Sequence, residues 1–349
     1  MTATADHDYD DDNDDDFQGR TMNPKWHIAF LNISITQYAG VTFREYYSSP
    51  AKTLEAQLKA AETVERRFGV GRFIKPYLDT PTGAMASLLG MRVVFPEGVD
   101  ELPLVDPRFP VITDVADADK VRIGDPKKDG IIPMRLRAWQ YYKDHGYPRD
   151  LGGGDTSIVT TACEISANSL LPGLVENPEG ACKLLDVVME ANRVLDDLGT
   201  SFRGKPSTGG YIGDDYAGLL SPEMFRRFVI PRYEKIYAGK TSRFMHSELL
   251  RREHLRITRD MLHISDFHGA GAEKLTLSEM HEVMGNNFWA QVTPHELIYL
   301  TPAEIAERIK VMASSGAHTV QLYPGRGTPD SQMGAAIAAV QKECTGGPR

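Results

Sequence analysis

Four times along this chain a polar residue stands directly before a proline that opens a run of helix-forming residues: Ser49-Pro50, Asn177-Pro178-Glu179, Ser221-Pro222-Glu223 and Thr301-Pro302-Ala303-Glu304. The polar side chain can accept a backbone N–H of the first turn, and proline at the first helical position already has the required φ. Thr301 with Glu304 adds the reciprocal pair of a capping box. Behind these starts, apolar residues recur at helical spacing: Leu54, Leu58, Ala61 and Phe68; Leu184, Val188, Ala191, Leu195 and Leu198 before Gly199; Ile305, Ile309 and Met312 before Gly316. One apolar stripe per helix predicts packing against a common layer. Between the helices lie short strand-like runs at Trp26 to Ile35, Ile158 to Ala162, Tyr211 to Ile212, Arg243 to Met245, Leu262 to Ile264, Phe288 to Val292 and Thr319 to Leu322. Strands that alternate with helices pair in parallel. About seven or eight such units predict an α/β fold of the closed (β/α)8, or TIM, barrel type, for which the length suffices.

The doubly wound alternative lacks its signature. No Gly-x-Gly-x-x-Gly follows the first strand, and Gly152-Gly153-Gly154-Asp155 lacks the lysine and hydroxyl of a phosphate loop, so it reads as a turn. A hydrophobic content of 41% with 25% charged residues is that of a globular chain. No apolar segment approaches the roughly 20 residues that cross a bilayer. Met1-Thr2-Ala3-Thr4 lacks the basic start of a secretory leader, and a cytoplasmic location is expected. The three cysteines, Cys163, Cys182 and Cys344, are too scattered for a disulfide framework. Most of the net charge of −9 comes from eight aspartates between Asp6 and Asp16. Residues 1–24 are therefore expected to be a disordered acidic tail, and 25–349 a single catalytic barrel domain. With the tail set aside the body is near neutral, which gives no reason to expect nucleic acid as a partner.

In a barrel, chemistry belongs to the C-terminal strand ends. Those ends read Gln37, Tyr77 with Asp79, Asp214 with Asp215, His246 with Glu248, Asp266 with His268, Gln291, and Tyr323 through Arg326. If Arg243 to Met245 is a strand, His246 and Glu248 share one side and can reach one metal ion or one substrate. His246, Glu248 and His268 would form a His2Glu set for zinc, with Asp266 as a further ligand or as the acceptor that fixes a ring tautomer. The plainer alternatives are that Asp214 and Asp215 bind backbone amides and that His268 is an exposed loop residue. His254, His263, His281 and His295 are not expected in the site.

The segment Ile212-Gly213-Asp214-Asp215-Tyr216-Ala217-Gly218-Leu219-Leu220-Ser221-Pro222-Glu223-Met224-Phe225, followed by Val229-Ile230-Pro231-Arg232-Tyr233, resembles the uroporphyrinogen decarboxylase superfamily. More specifically, it resembles the branch containing corrinoid-dependent methyltransferases. Gly40-Val41-Thr42-Phe43-Arg44-Glu45-Tyr46-Tyr47, Asn177-Pro178-Glu179, Gln291-Val292-Thr293-Pro294 and Thr301-Pro302-Ala303-Glu304 fit the same pattern, so the resemblance covers essentially everything after Pro24. It implies a (β/α)8 barrel whose methyltransferase members hold zinc through a His-x-Cys pair and a later cysteine, with a corrinoid (cobalamin) as methyl carrier. His246 falls at the family histidine, but Glu248 replaces the cysteine and Tyr323-Pro324-Gly325-Arg326-Gly327 supplies no later one.

Thiolate ligands suit activation of a thiol, whereas an oxygen-rich set suits polarising an ether or hydroxyl oxygen. The expected function is therefore methyl transfer between a small methoxylated substrate and a corrinoid, with Asp214, Asp215, His246 and Glu248 catalytic. Gln37, Tyr77, Asp79, Gln291, Tyr323 and Arg326 are expected to bind substrate. The expected partners are a small methyl donor or acceptor and a separate corrinoid protein, with a homodimer as the assembly to test and no membrane. The resemblance also offers porphyrinogen decarboxylation. However, the arginine-rich segment that grips substrate carboxylates in true decarboxylases is replaced here by Gln37-Tyr38-Ala39-Gly40-Val41, with only Arg44 nearby. A catalytically silent barrel that binds a tetrapyrrole or a corrinoid protein is the third reading.

Overall fold

A computed structural model describes residues 23–147, 157–269, 271 and 274–348. The acidic run Asp6 to Asp16 and the glycine run 152–154 lie outside the described residues. The strands in chain order are β1 (Lys25–Ile28), β2 (Val93–Val94), β3 (Leu104–Val105), β4 (Gly209–Gly213), β5 (Ser242–His246), β6 (Asp266–His268), β7 (Phe288–Val292) and β8 (Thr319–Leu322). Six of them form one sheet in the order β1-β8-β7-β6-β5-β4, and β2 with β3 makes a separate two-stranded ribbon. Every neighbouring pair in the large sheet is parallel, as the alternation with helices requires.

The architecture is α/β and (β/α)8-barrel-like, with three departures from the expected strands. The first is that Trp26 to Ile35 is strand only as far as Ile28 and gives way to the helix Asn32–Ala39, which carries Gln37. Ile158 to Ala162 is not a strand but part of a helix, Ile158–Ile165. An apolar run of that length is ambiguous between the two states. Here Asp214 at the end of β4 accepts the N–H groups of Val159 and Thr160, which caps a helix start from a distant part of the chain. Leu262 likewise closes a helical turn, and the strand begins at Asp266. On the other side, Gly71–Phe73 packs on β1, with the Phe73 and Trp26 rings 5.0 Å apart.

All four expected helix starts are present. Ser49, Asn177, Ser221 and Thr301 each accept a backbone N–H of the first turn, and Thr301 with Glu304 forms the capping box. The buried face of Pro50–Phe68 is rotated from the expected stripe. Thr53, Leu54, Ala56, Gln57, Ala60, Thr63 and Val64 are buried, whereas Leu58, Ala61 and Phe68 are only half-buried. Gln57 explains the rotation, since its amide bonds inward to Tyr46, Tyr77 and Tyr142.

Each strand presents two different faces. Ile28, Ile212, Met245, Phe267, Phe288, Ala290, Val292, Val320 and Leu322 are at most 1% exposed and form the apolar layer beneath the helices. Burial of each large side chain among them stabilises the fold by about 1.5–3 kcal/mol. The alternate positions carry His27, Tyr211, Phe244, His246, Asp266, His268, Trp289, Gln291 and Gln321 and face the lumen. A barrel lumen closed by packing is filled with Val, Ile and Leu. This one is lined with rings and polar groups instead.

Loop packing at the strand ends leaves no slack. A Cβ at Gly218, after β4, would overlap the backbone carbonyl of Leu249, after β5. Backbone cannot move aside as a flexible side chain can. Gly218→Ala should therefore lower stability by about 1–3 kcal/mol, read as a reduced urea midpoint at unchanged m. An unchanged midpoint would show that this contact does not hold the two loops together.

Candidate active site

The two imidazoles meet where β5 and β6 end. His246 and His268 are partners in the strand register, and their Nδ1 atoms lie 2.9 Å apart. Only one of two nitrogens at that distance can carry the proton, so the pair shares a single N–H. Burial first, and the neighbouring His246 second, hold His268 down at about 3, so its ring is neutral at physiological pH. The amides of Gln291 and Gln321 lie close enough to favour its charged form. Neither closes a hydrogen bond on Nε2, which is buried and unpartnered. His268 is thus a half-buried strand residue, not a residue of an exposed loop.

Glu248 does not join them. β5 ends at His246, and the chain then turns: Ser247 donates its N–H to the His268 carbonyl and its hydroxyl to the Asp214 carbonyl. The two-residue alternation therefore stops one residue short of Glu248, which is exposed and whose charge is felt at the Tyr323 phenol. Asp266 is engaged as well, accepting from the Trp289 indole at 2.7 Å and from the Phe267 N–H at 3.1 Å. Among the described residues no three His, Cys, Asp or Glu side chains converge as a metal site requires. The expected zinc set of His246, Glu248, His268 and Asp266 does not fit this geometry.

Asp214 and Asp215 are organisers of the loops. Asp214 is fully buried and accepts from Val159 N–H at 2.7 Å, Thr160 N–H at 2.9 Å, Thr160 Oγ1 at 2.8 Å and the Tyr233 hydroxyl at 2.8 Å. Burial pushes its carboxyl up to about 6, against the pull of those four donors. With every acceptor site engaged it has no capacity left for a substrate. Asp215 accepts the Glu248 N–H at 2.7 Å and fixes the turn after β5.

Gln37 and Arg326 are committed in the same way. The Gln37 amide clamps the loop after β8, accepting from Gly327 N–H and donating to the Thr328 carbonyl at 3.3 Å. Arg326 is paired with Asp100 at 2.5 Å and lies over the Phe43 ring. The Gln37 amide is used at both ends, whereas Arg326 is engaged through Nη1 alone.

Asp79 gathers a shell of phenols. Its carboxylate accepts from the hydroxyls of Tyr46 at 3.0 Å, Tyr47 at 3.2 Å and Tyr77 at 3.1 Å. Gln57 ties the shell to Tyr142, and Asn32 donates to Tyr47. Burial outweighs those donors and pushes the Asp79 carboxyl up to about 6. Burial, then the charges of Glu248 and Asp79, raise the Tyr323 phenol. Tyr323 thus lies within electrostatic reach of both carboxylates, and its hydroxyl makes no hydrogen bond among the described residues. Tyr46, Tyr47, Gln57, His27, Phe244 and Gln321 were not anticipated as site residues. The available signal was the alternation along β1, β5 and β8, which places His27, Phe244 and Gln321 on the lumen face.

A parallel barrel-like sheet with imidazoles, phenols and carboxylates gathered at its C-terminal strand ends defines a protein with a barrel-mouth site. The family model of uroporphyrinogen decarboxylase matches residues 28–323, and the chain belongs to that family. No curated protein matches it. Among solved structures, a methyltransferase from Methanosarcina mazei aligns with a TM-score of 0.67 at 18% identity, covering 91% of this chain and 93% of that one. At that identity the likeness is one of fold. No single helix among the described residues is long and apolar enough to cross a membrane.

The raised Asp79 carboxyl has a measurable consequence. A folded-state value above the ordinary carboxylate value gives stability that is complete below the unfolded value of about 4. That stability is lost as pH rises through about 6. Asp214 follows the same course. His268, held down at about 3, contributes the opposite slope over this window in wild type and variant alike. The difference between the two proteins therefore isolates Asp79: Asp79→Asn should gain up to about 3 kcal/mol of urea stability relative to wild type between those two pH values. Parallel pH–stability curves for wild type and variant would show that Asp79 is ionised throughout.

Proposed function

We propose that this chain is a methyltransferase that moves a methyl group between a small methoxylated substrate and a corrinoid borne by a separate protein. The observation that supports this reading is that Arg44 and Arg326 are each already engaged by the chain itself. Arg44 donates to the carbonyls of Phe95 and Pro96 and lies over the Phe95 ring, while Arg326 is held by Asp100. Each guanidinium is held by one terminal nitrogen, so using it to grip the carboxylates of a porphyrinogen would compete with those bonds. The alignment with a methanogen methyltransferase over most of both chains supports the same reading.

The lumen suits a transfer that a second protein must reach, because Tyr211 is 51% exposed and His246 and Phe244 are half-buried rather than sealed. When bound, a corrinoid would supply a nucleophilic cobalt as methyl acceptor. This chain's own task is to hold the methoxyl group and to receive the oxygen. As the C–O bond breaks, the oxygen keeps the bonding pair and needs a hydrogen-bond donor, then a proton. Tyr323 presents a hydroxyl with no hydrogen-bond partner among the described residues. Asp79, raised to about 6, is mostly ionised at pH 7 with about a tenth of it protonated, so it can take up and return a proton behind the phenol shell. Asp214 and Asp215 hold the loops around this face.

The test supplies purified protein with reduced cobalamin and a panel of methoxylated compounds and follows loss of the reduced corrinoid spectrum. Turnover is expected, with Tyr323→Phe and Asp79→Asn each lowering kcat by about 10²–10⁴-fold, the range of a lost acid–base group. Release of carbon dioxide from a porphyrinogen with no corrinoid present would instead establish the carboxy-lyase reading.

A further inference from the structure

The three phenols around Asp79 are not equivalent. Tyr46 and Tyr77 donate to Oδ2, at 3.0 and 3.1 Å, and Tyr47 donates to Oδ1 at 3.2 Å. Behind Tyr46 stands Gln57, whose amide orientation is fixed by the backbone of Tyr77: Oε1 accepts its N–H at 3.1 Å and Nε2 donates to its carbonyl at 3.0 Å. A flipped amide would set donor against donor and acceptor against acceptor. Nε2 is therefore also the donor to the Tyr46 hydroxyl, at 3.0 Å, which leaves Asp79 as the acceptor of the Tyr46 proton. Asn32 does the same for Tyr47, giving its Nδ2–H to that hydroxyl at 2.8 Å. Tyr46 is fully buried and Tyr47 only 5% exposed, so neither can turn its proton away from Asp79 without leaving it unsatisfied. Tyr77 has no such lock. Among the described residues no side-chain amide donates to its hydroxyl, and it alone of the three phenols is half-buried.

We propose that Tyr77 is the proton relay of this site: Asp79 gives up and recovers its proton through the Tyr77 hydroxyl, while Gln57 and Asn32 are positioning residues that close the routes through Tyr46 and Tyr47. This rests on the methyl-transfer reading, in which Tyr323 protonates the departing oxygen and must then regain a proton. A protonated Asp79 carries an O–H that needs an acceptor, and Tyr77 is the phenol that can reverse to present its oxygen. The Asp79 O–H bond breaks as an O–H bond forms at Tyr77, and the proton Tyr77 held passes on to the Tyr323 phenolate. Asp79 ends as a carboxylate, Tyr323 as a phenol, and Tyr77 with the charge it began with. The two transfers are simultaneous, because burial holds the Tyr77 hydroxyl well above the ordinary phenol value and it does not persist as a phenolate. The direction is downhill, since the Asp79 carboxyl, at about 6, is a stronger acid than the raised Tyr323 phenol.

The test follows hydroxyl exchange in the full chain, isotope-labelled at tyrosine Cζ, in a mixture of ordinary and heavy water, where slow exchange splits a Cζ signal and fast exchange averages it. Split signals are expected for Tyr46 and Tyr47 and one averaged signal for Tyr77. Gln57→Leu, checked for native circular dichroism, should average the Tyr46 signal as well. A split Tyr77 signal beside averaged Tyr46 and Tyr47 signals in wild type, or a Tyr46 signal unchanged by Gln57→Leu, overturns the proposal. Folded Tyr77→Phe should lower kcat for demethylation with reduced cobalamin by about 10²-fold at unchanged KM. The two readings fail separately. If Tyr77→Phe demethylates at the wild-type rate, the relay is wrong and methyl transfer stands. If the exchange pattern is found while no methoxylated compound is demethylated, the open hydroxyl of Tyr77 stands and methyl transfer is wrong.

Discussion

Every strand of the parallel sheet must satisfy two environments at once, and the rest of the structure depends on that constraint. Successive side chains of a strand point to opposite faces. Along β7, Phe288, Ala290 and Val292 enter the layer beneath the helices, which leaves Trp289 and Gln291 for the lumen. The same alternation sends Met245 outward and Phe244 with His246 inward on β5. Apolar burial on one face thus aligns chemistry on the other, because a slip of one residue would exchange the two sets.

Buried carboxylates then fix where the strand ends lie. Removing a charge from water is costly, and a buried carboxylate persists only where donors surround it. Asp214 collects four donors from two distant segments, and Asp79 collects three phenols. In both, desolvation still wins over hydrogen bonding, and both carboxyls are raised to about 6. Their environments differ in use. Asp214 joins helix Ile158–Ile165 to β4, whereas Asp79 and Glu248 together set the field around Tyr323.

The helix starts were legible because capping is local. Ser49, Asn177, Ser221 and Thr301 each act on an N–H three residues ahead. Strands β7 and β8 were legible because apolar residues bounded by turns leave few alternatives. The run Ile158 to Ala162 misled because its helical state depends on Asp214, 55 residues from Val159. The His246–Glu248 pair misled for a different reason. The strand stops at His246, and Asp215 takes the Glu248 N–H, so the spacing of two no longer means a shared face.

The sequence by itself determined the alternation of strands and helices, the apolar layer beneath the helices and the family pattern after Pro24, since each follows from residues near one another in the chain. It also placed histidines and carboxylates at strand ends. Only the tertiary structure decided which of them meet. His246 faces His268, Asp214 and Asp215 serve the loops, Asp79 is enclosed by phenols, and Arg326 pairs with Asp100. The physical reason is that a hydrogen bond acts over about 3 Å, so partnership depends on where the fold brings two atoms and not on their spacing in the chain.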